Sequence, residues 1–371
     1  MRIAPHLVTV LLLCACGRTA VTVDTSTVLS TSASGTASAT ATATAEQAAR
    51  SLKVLDRATK KSKPGCSAAV GIAGKVVWAD AQGVADLDSG TTITTDTAFD
   101  IASVSKQFTA TAALLLAGAD TLSQDDPLSD YVPGLPAWSR TVTVGQLIHQ
   151  TSGIPDYVGL LYDAGYEDGD RTTNADALNA IAEVADLEFE PGTHWDYSNS
   201  NYLLLGQVVE AASGQSLSDF LDAEIFTPLG LDMVLDPVRP VPTAAVSYTK
   251  DDGTYTVAPT AWEQTGDGSI QTTPSQLVIW ADNYRTGAVG GPELLAAQTD
   301  GAVTTDADTG QRYGAGIYVG TDGTLEHDGS WAGFLSDFTV SADRSHSVAV
   351  SCNSDHQDPT AIAGELAEIW G

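Results

Sequence analysis

The residues best placed to do chemistry are Ser103 and Lys106, within Phe99-Asp100-Ile101-Ala102-Ser103-Val104-Ser105-Lys106-Gln107-Phe108. Thr109 to Ala113 and the apolar run Leu114-Leu115-Leu116-Ala117 follow, closed by Gly118, so the pattern predicts a largely buried helix beginning near Ser103. Helix residues three apart share a face, with Cβ atoms about 5–6 Å apart, so the lysine reaches the serine hydroxyl. A serine is a weak nucleophile until a neighbour takes its proton, and a lysine does so only where burial lowers its pKa toward neutrality. The chain supplies its own control in Ser247-Tyr248-Thr249-Lys250, which has the same spacing. That copy lies between Pro242 and the turn Asp251-Asp252-Gly253, where Val246, Tyr248, Tyr255 and Val257 alternate as in an exposed hairpin and leave Lys250 in solvent. Lys106, by contrast, is the only lysine between Lys75 and Lys250 and falls in a mostly uncharged segment.

Two further stretches carry candidate groups. Pro191-Gly192-Thr193-His194-Trp195-Asp196-Tyr197-Ser198-Asn199 leads into an apolar helix over Tyr202 to Ala212 and presents Tyr197 and Asn199 from its loop. Beside a lysine, a tyrosine hydroxyl relays a proton, and an asparagine amide holds both the lysine and a substrate carbonyl. Taken alone, Tyr-Ser-Asn is ordinarily just a turn. Glu326-His327-Asp328-Gly329-Ser330-Trp331-Ala332-Gly333-Phe334 puts His327 at a strand end, with glycines that let a ligand approach the backbone. A structural, hydrogen-bonded histidine is the competing reading there.

The elements that must position these groups fall in three blocks. Glu46 to Lys61 has Ala49, Leu52, Leu55 and Ala58 at helical spacing; Ser67 to Ile72 and Lys75 to Ala79 then read as a hairpin about Ala73-Gly74, and Thr91 to Phe99 lead extended into the Ser103 helix. From Ala102 to about Trp262 the pattern is mostly helical. Strands return at Gly314 to Val319, Thr324 to His327, Phe334 to Ser341 and Ser347 to Ser351, before a closing helix from Thr360 to Trp370. The expected class is therefore α+β: an antiparallel sheet built from both chain termini and flanked by helices (46–101 and 265–371), beside a mostly helical part (102–264).

Composition narrows the function further. Forty-seven acidic against 17 basic residues give a net charge of −30 with no basic patch, which argues against a nucleic-acid partner. Arg2, an apolar run from Leu7 to Leu13 and Leu13-Cys14-Ala15-Cys16 read as an export signal over residues 1–15 that resembles a bacterial lipoprotein signal. It implies lipid on Cys16, a membrane anchor and a place in the cell envelope. Residues 16–45 are rich in Ser, Thr and Ala and too poor in large apolar groups to pack, so they read as a tether. Besides Cys14 and Cys16 only Cys66 and Cys352 remain, and an oxidising compartment favours their pairing.

Together the three stretches resemble the penicillin-recognising serine hydrolases, in the branch of class C β-lactamases, DD-carboxypeptidases, esterases and D-aminopeptidases. Ser103-Val104-Ser105-Lys106 matches the nucleophile motif, Tyr197-Ser198-Asn199 the tyrosine motif and His327-Asp328-Gly329 the third, strand-borne motif. Leu147 to Pro155, Phe226-Thr227-Pro228-Leu229-Gly230-Leu231 and Gly266-Asp267-Gly268-Ser269-Ile270 also look like that family's. The resemblance implies a site in a cleft between sheet and helices, with Ser103 attacking a carbonyl and Lys106 and Tyr197 moving protons. The amides of Ser103 and Ser330 would hold the oxyanion, and Asn199, His327, Asp328 and Gly329 would line the substrate site. No metal or organic cofactor is implied. In folds of this family the first strand lies antiparallel beside the last, which would set Cys66 against Cys352 as a disulfide.

One departure bears on substrate. Penicillin binders commonly carry Lys-Thr-Gly or His-Thr-Gly at the third motif, whereas the middle residue here is Asp328. A carboxylate facing the cleft repels carboxylate-bearing β-lactams and D-Ala-D-Ala termini and favours esters, amides or amine-bearing substrates; one facing away has no such effect. The expected activity is thus an ester or amide hydrolase working through an acyl-enzyme, with a β-lactamase or DD-carboxypeptidase, or an inactive surface-anchored binding protein of the same fold, as the alternatives.

Overall fold

The computed structural model describes residues 43–258 and 260–371. The expected signal, Cys16 and nearly all of the tether lie outside the described residues. Its centre is an eight-stranded antiparallel sheet. In spatial order the strands are Val303–Thr304, Arg312–Tyr313, Tyr318–Val319, Leu325–Trp331, Phe334–Val340, His346–Cys352, Cys66–Ile72 and Lys75–Gln82. The N-terminal hairpin therefore joins the C-terminal strands in one sheet, with Cys66 directly opposite Cys352 and disulfide-bonded to it.

Alternation along the strands sorts two cores. Cys66, Ala68, Val70, Val348, Val350 and Cys352 turn to one face, where they pack with Val54 and Leu55 of the Ala45–Ala58 helix and Ile362, Leu366 and Trp370 of the Pro359–Trp370 helix. Ala69, Phe338 and Ala349 turn to the other face, against Leu277, Val278 and Trp280 of the Pro274–Ala281 helix and the large core of the helical part. The first helix ends at Ala58 rather than near Lys61, because Thr59 takes an extended conformation and caps it through the Leu55 carbonyl.

One strand boundary also differs from the sequence reading. Gly314 to Val319 is not one strand: the Gly314 N–H turns back onto the Ile317 carbonyl at 2.8 Å, leaving only Tyr318–Val319 paired. The mostly helical part, 102–264, holds the expected hairpin, Tyr248–Asp251 with Thr254–Val257, together with several two-residue strands. Within it the Lys106–Gly118 helix is buried over all sides from Lys106 to Leu114, as its run of small and apolar residues requires, and packs against the Asn199–Ser213 helix.

Candidate active site

The nucleophile candidate sits on a tight turn rather than on the α-helix proper. Ala102–Ser105 forms a 3₁₀ turn and the α-helix starts at Lys106, which is 0% exposed. Ala102 adopts φ 47°, an uncommon left-handed value for a residue with a side chain, immediately before Ser103. Asp100 accepts the Ala102 N–H at 2.8 Å, and Ser336 Oγ donates to the Ile101 carbonyl at 2.7 Å, which fixes the turn against the Phe334–Val340 strand. Burial pushes the Asp100 carboxyl up to about 6. Gly329 faces the same turn, where a Cβ would stand 2.4 Å from the Ile101 carbonyl oxygen, so only glycine lets the strand lie this close.

Lys106 Nζ donates to Ser103 Oγ at 3.1 Å, Asn199 Oδ1 at 2.7 Å and the Asp267 carbonyl oxygen at 2.8 Å. Burial lowers its pKa from 10.5 to about 8 against the pull of Asp267, Asp156 and Asp328. The neutral amine keeps two N–H groups for Asn199 and Asp267 and leaves its lone pair toward the Ser103 hydroxyl. Tyr197 lies alongside, with Lys106 Nζ 5.0 Å from its ring centroid, and burial raises its hydroxyl well above the ordinary value despite the Ser103 hydroxyl beside it. A proton-taking phenolate is thereby disfavoured, while a neutral hydroxyl that relays a proton is not.

Three acids supporting this pair escaped the sequence reading. Asp156 accepts from the Asn199 backbone N–H at 3.0 Å and its Nδ2 at 2.9 Å, which turns Asn199 Oδ1 toward Lys106. Asp156 also caps the Tyr157–Asp163 helix. Tyr157 Oη donates to Asp267 Oδ2 at 2.9 Å, and Gly266 allows the loop to press on the Tyr202 backbone, where a Cβ would stand 2.4 Å from its carbonyl oxygen. Asp156 follows Pro155 as a helix cap and Asp267 sits in the Gly266–Ile270 run, so the signal was present; what it lacked was a partner in sequence. Asp100, three residues before Ser103, is the third.

The third stretch is divided by strand alternation. His327 and Gly329 turn inward with Phe338 and Ser336, whereas Asp328 and Ser330 turn to the opposite face with Asp337 and Leu335. His327 is buried behind Tyr197, bonded to Tyr313 Oη at 3.1 Å and to the Asp328 carbonyl oxygen at 2.6 Å, and burial lowers its pKa to about 4. It is a buried, hydrogen-bonded residue of the wall behind Tyr197 and does not itself border the cavity at Ser103. Asp328 is exposed and does not border the cavity at Ser103; its charge reaches Lys106 and Tyr197 only through space.

That cavity brings Ser103, Asn199 and Ser330 together with Ala102, Gly268, Trp262 and Trp331. Ser330 borders the cavity alongside Ser103 at the start of its turn. Beyond Glu326 the outer edge of the Leu325–Trp331 strand has no strand partner among the described residues, because Tyr318–Val319 pairs only with Leu325 and Glu326. An extended substrate backbone fits such an edge. Trp262 and Trp331 stand 5.6 Å apart as an aromatic wall. The rival pair forms no such site: Ser247 stands just before the Tyr248–Asp251 strand, and Lys250 Nζ lies over the Tyr255 ring, 5.4 Å from its centroid.

The model of the Beta-lactamase family matches residues 42–369. Penicillin-binding protein 4* of Bacillus subtilis is 28% identical over 288 residues, covering 70% of this chain and 62% of that protein. A D-aminopeptidase of Brucella anthropi is 36% identical over 168 residues, covering 45% of this chain and 32% of that protein. The chain thus spans less than two thirds of the length of either relative. Among solved structures, a D-amino acid amidase from Ochrobactrum anthropi is similar with a TM-score of 0.76 at 21% identity, over 88% of this chain and 99% of that one.

Proposed function

Because the chain belongs to the Beta-lactamase family, we propose that it is a serine hydrolase that opens amide or ester bonds through an acyl-enzyme on Ser103. The observation that carries this reading is the fully buried Lys106, held 3.1 Å from Ser103 Oγ with its pKa lowered to about 8. Ser103 Oγ attacks the carbonyl carbon while its proton passes to Lys106 Nζ. The resulting oxyanion is received by the Ser103 and Ser330 amides, worth about 3–4 kcal/mol per donor. Collapse expels the amine or alcohol, which takes its proton from Lys106 through the Tyr197 hydroxyl. Water then repeats the sequence on the acyl-enzyme and restores Ser103. Asn199 positions Lys106 and, beside the cavity, an amide group of the substrate.

The D-aminopeptidase and the D-amino acid amidase to which the chain is similar support amides of D-amino acids as substrates. Asp328 faces away from the cavity, so it acts on an incoming carboxylate only through a field that salt screens over about 8 Å. The penicillin-binding protein relative supports the second reading, a β-lactamase or DD-carboxypeptidase. Incubation with a fluorophosphonate and, separately, a labelled penicillin, followed by location of the adduct by mass, tests both. We expect a fluorophosphonate adduct on Ser103 and weak penicillin labelling. An adduct elsewhere, or hydrolysis undiminished in Ser103→Ala, overturns the mechanism, and labelling without turnover of any ester or amide marks a binding protein. We also read Cys16 as the lipidated residue of an envelope protein, so Cys16→Ser is expected to abolish metabolic labelling by palmitate.

A further inference from the structure

Two residues that carry side chains hold left-handed backbone where they border the cavity at Ser103: Ala102, with φ 47°, and Ser269, with φ 74°. Such values are unfavourable for any residue with a Cβ and persist only where the surroundings impose them. Both positions bear on the chemistry. Ala102 immediately precedes Ser103, and Ser269 lies two residues past Asp267, whose carbonyl oxygen accepts from Lys106 Nζ at 2.8 Å. The two segments lie against each other, since a Cβ on Gly268 would stand 3.9 Å from the Ala102 carbonyl carbon.

One side chain reaches both. Asp100 ends the short strand Phe99–Asp100, which pairs with Ile270–Thr272 so that Asp100 stands opposite Gln271. Its Oδ1 accepts the Ala102 N–H at 2.8 Å, and the Ser269 main-chain N–H also turns to the carboxylate. The Ser269 hydroxyl donates elsewhere, to the Gln264 carbonyl oxygen at 3.0 Å, so the loop meets Asp100 through its main chain. Bonds from the Ile101 N–H to the Ile270 carbonyl oxygen at 2.9 Å and from the Ile270 N–H to Ser105 Oγ at 3.3 Å continue the same seam. Among the charged groups on the surrounding elements, Asp267 on the facing loop opposes ionisation of Asp100. Lys106 on the following helix, Asp337 on the Phe334–Val340 strand and the Asp236–Arg239 pair beyond Gln271 do not contribute to its shift. Nor does Asp100 shift Lys106, which feels Asp267, Asp156 and Asp328 instead. Any effect of Asp100 on the reaction therefore runs through geometry rather than through the charge on the base.

We propose that Asp100 is a positioning residue of the hydrolase: its ionised carboxylate clamps Ala102 to Ser269 and holds their strained backbone, and protonation opens the clamp and slows acylation of Ser103. The proposal rests on Ser103 being the nucleophile. A carboxylate accepts at both oxygens, whereas the neutral acid presents a donor where one acceptor stood. Burial sets this titration at about 6, below the value of about 8 for Lys106. The folded pKa lies above 3.8, so between about 3.8 and 6 the native state holds more protons than the unfolded chain, and this group favours the fold as pH falls. Activity lost in that window is lost to geometry and not to unfolding.

The test is the rate constant for fluorophosphonate labelling of Ser103 in the full chain from about pH 5 to 9, measured beside the melting temperature. Protonation of Lys106 alone makes the logarithm of the rate fall with unit slope below about 8. The clamp adds a second unit of slope below about 6, with no matching fall in melting temperature. Asp100→Asn, which presents a donor where the carboxylate accepts, should label about tenfold more slowly or worse at pH 8, the scale of a left-handed residue left without support, and should keep unit slope throughout. Ala102→Gly placed in that variant should recover most of the lost rate, because glycine takes a φ near 47° unaided. A wild-type profile of unit slope down to about pH 5, a second slope that survives in Asp100→Asn, or no recovery by Ala102→Gly overturns the clamp. A wild type that takes no label at Ser103 anywhere in the range overturns the hydrolase reading itself, and the clamp with it.

Discussion

An ammonium that donates all three hydrogens cannot accept a fourth, and Lys106 donates to Ser103, Asn199 and Asp267. Activity therefore depends on the fraction of Lys106 that is neutral. With its pKa at about 8, kcat/KM for a neutral ester should rise with pH through that value, and a profile flat across it would remove Lys106 as the base. The linkage has the same sign: the folded pKa lies below 10.5, so the native state holds fewer protons than the unfolded chain between about 8 and 10.5. The penalty of burying the charge is thus present below 8 and relieved as pH rises. Lys106→Ala is expected to lower kcat by about 10²–10⁴, the usual worth of a general base. Asp156→Ala should act one bond further out, freeing the Asn199 amide to rotate; stopped-flow acylation should slow at least about tenfold, with a stability loss of about 1 kcal/mol from the lost helix cap.

The Leu325–Trp331 strand does three jobs that its alternation keeps apart: Gly329 meets the nucleophile turn, His327 fills the wall behind Tyr197, and Asp328 stands outside. Gly329→Ala forces a methyl against the Ile101 carbonyl oxygen and Ser336 Oγ, each 2.4 Å from the ideal Cβ position. Overpacking of this kind costs about 1–3 kcal/mol. Because the displaced atoms include the turn before Ser103, fluorophosphonate acylation should fall far more than the melting temperature implies. Equal, small effects on both would show that the turn tolerates the shift. Asp328→Thr should raise kcat/KM for a penicillin more than for a neutral ester, and the difference should vanish at high salt, since exposed charges at a distance are screened. A salt-independent gain would put the carboxylate in contact with the substrate instead.

Across the whole molecule the first and last strands of the chain are neighbours, so the sheet closes only when both ends have been delivered to it. The Cys66–Cys352 bridge spans a sequence separation of 286. Chain entropy alone gives on the order of 5 kcal/mol for so long a loop, and measured bridges commonly give about 2–4. Cys66→Ser/Cys352→Ser should lower the urea midpoint by a corresponding amount while leaving kcat intact at room temperature, because the bridge lies on the sheet face turned away from Ser103. A double variant as stable as the parent would show that strand pairing alone holds the ends.

Local pattern determined the elements that carry the site. The burial of Lys106 was legible from an uncharged stretch around one lysine, the hairpin at Ala73-Gly74 from two strand-like runs, and the sheet of both termini from strands at either end of the chain. Those are properties of neighbours in sequence, or of element order, and need no coordinates. The tertiary structure alone decided what depends on which face a side chain takes and what stands across from it. Asp328 and His327 are adjacent, yet one is exposed and the other buried, because a strand turns successive residues to opposite sides and its register with Phe334–Val340 fixes which side is which. Asp156 and Asp267 lie 50 and 161 residues beyond Lys106, and only packing of the helical part against the sheet brings their charges to it.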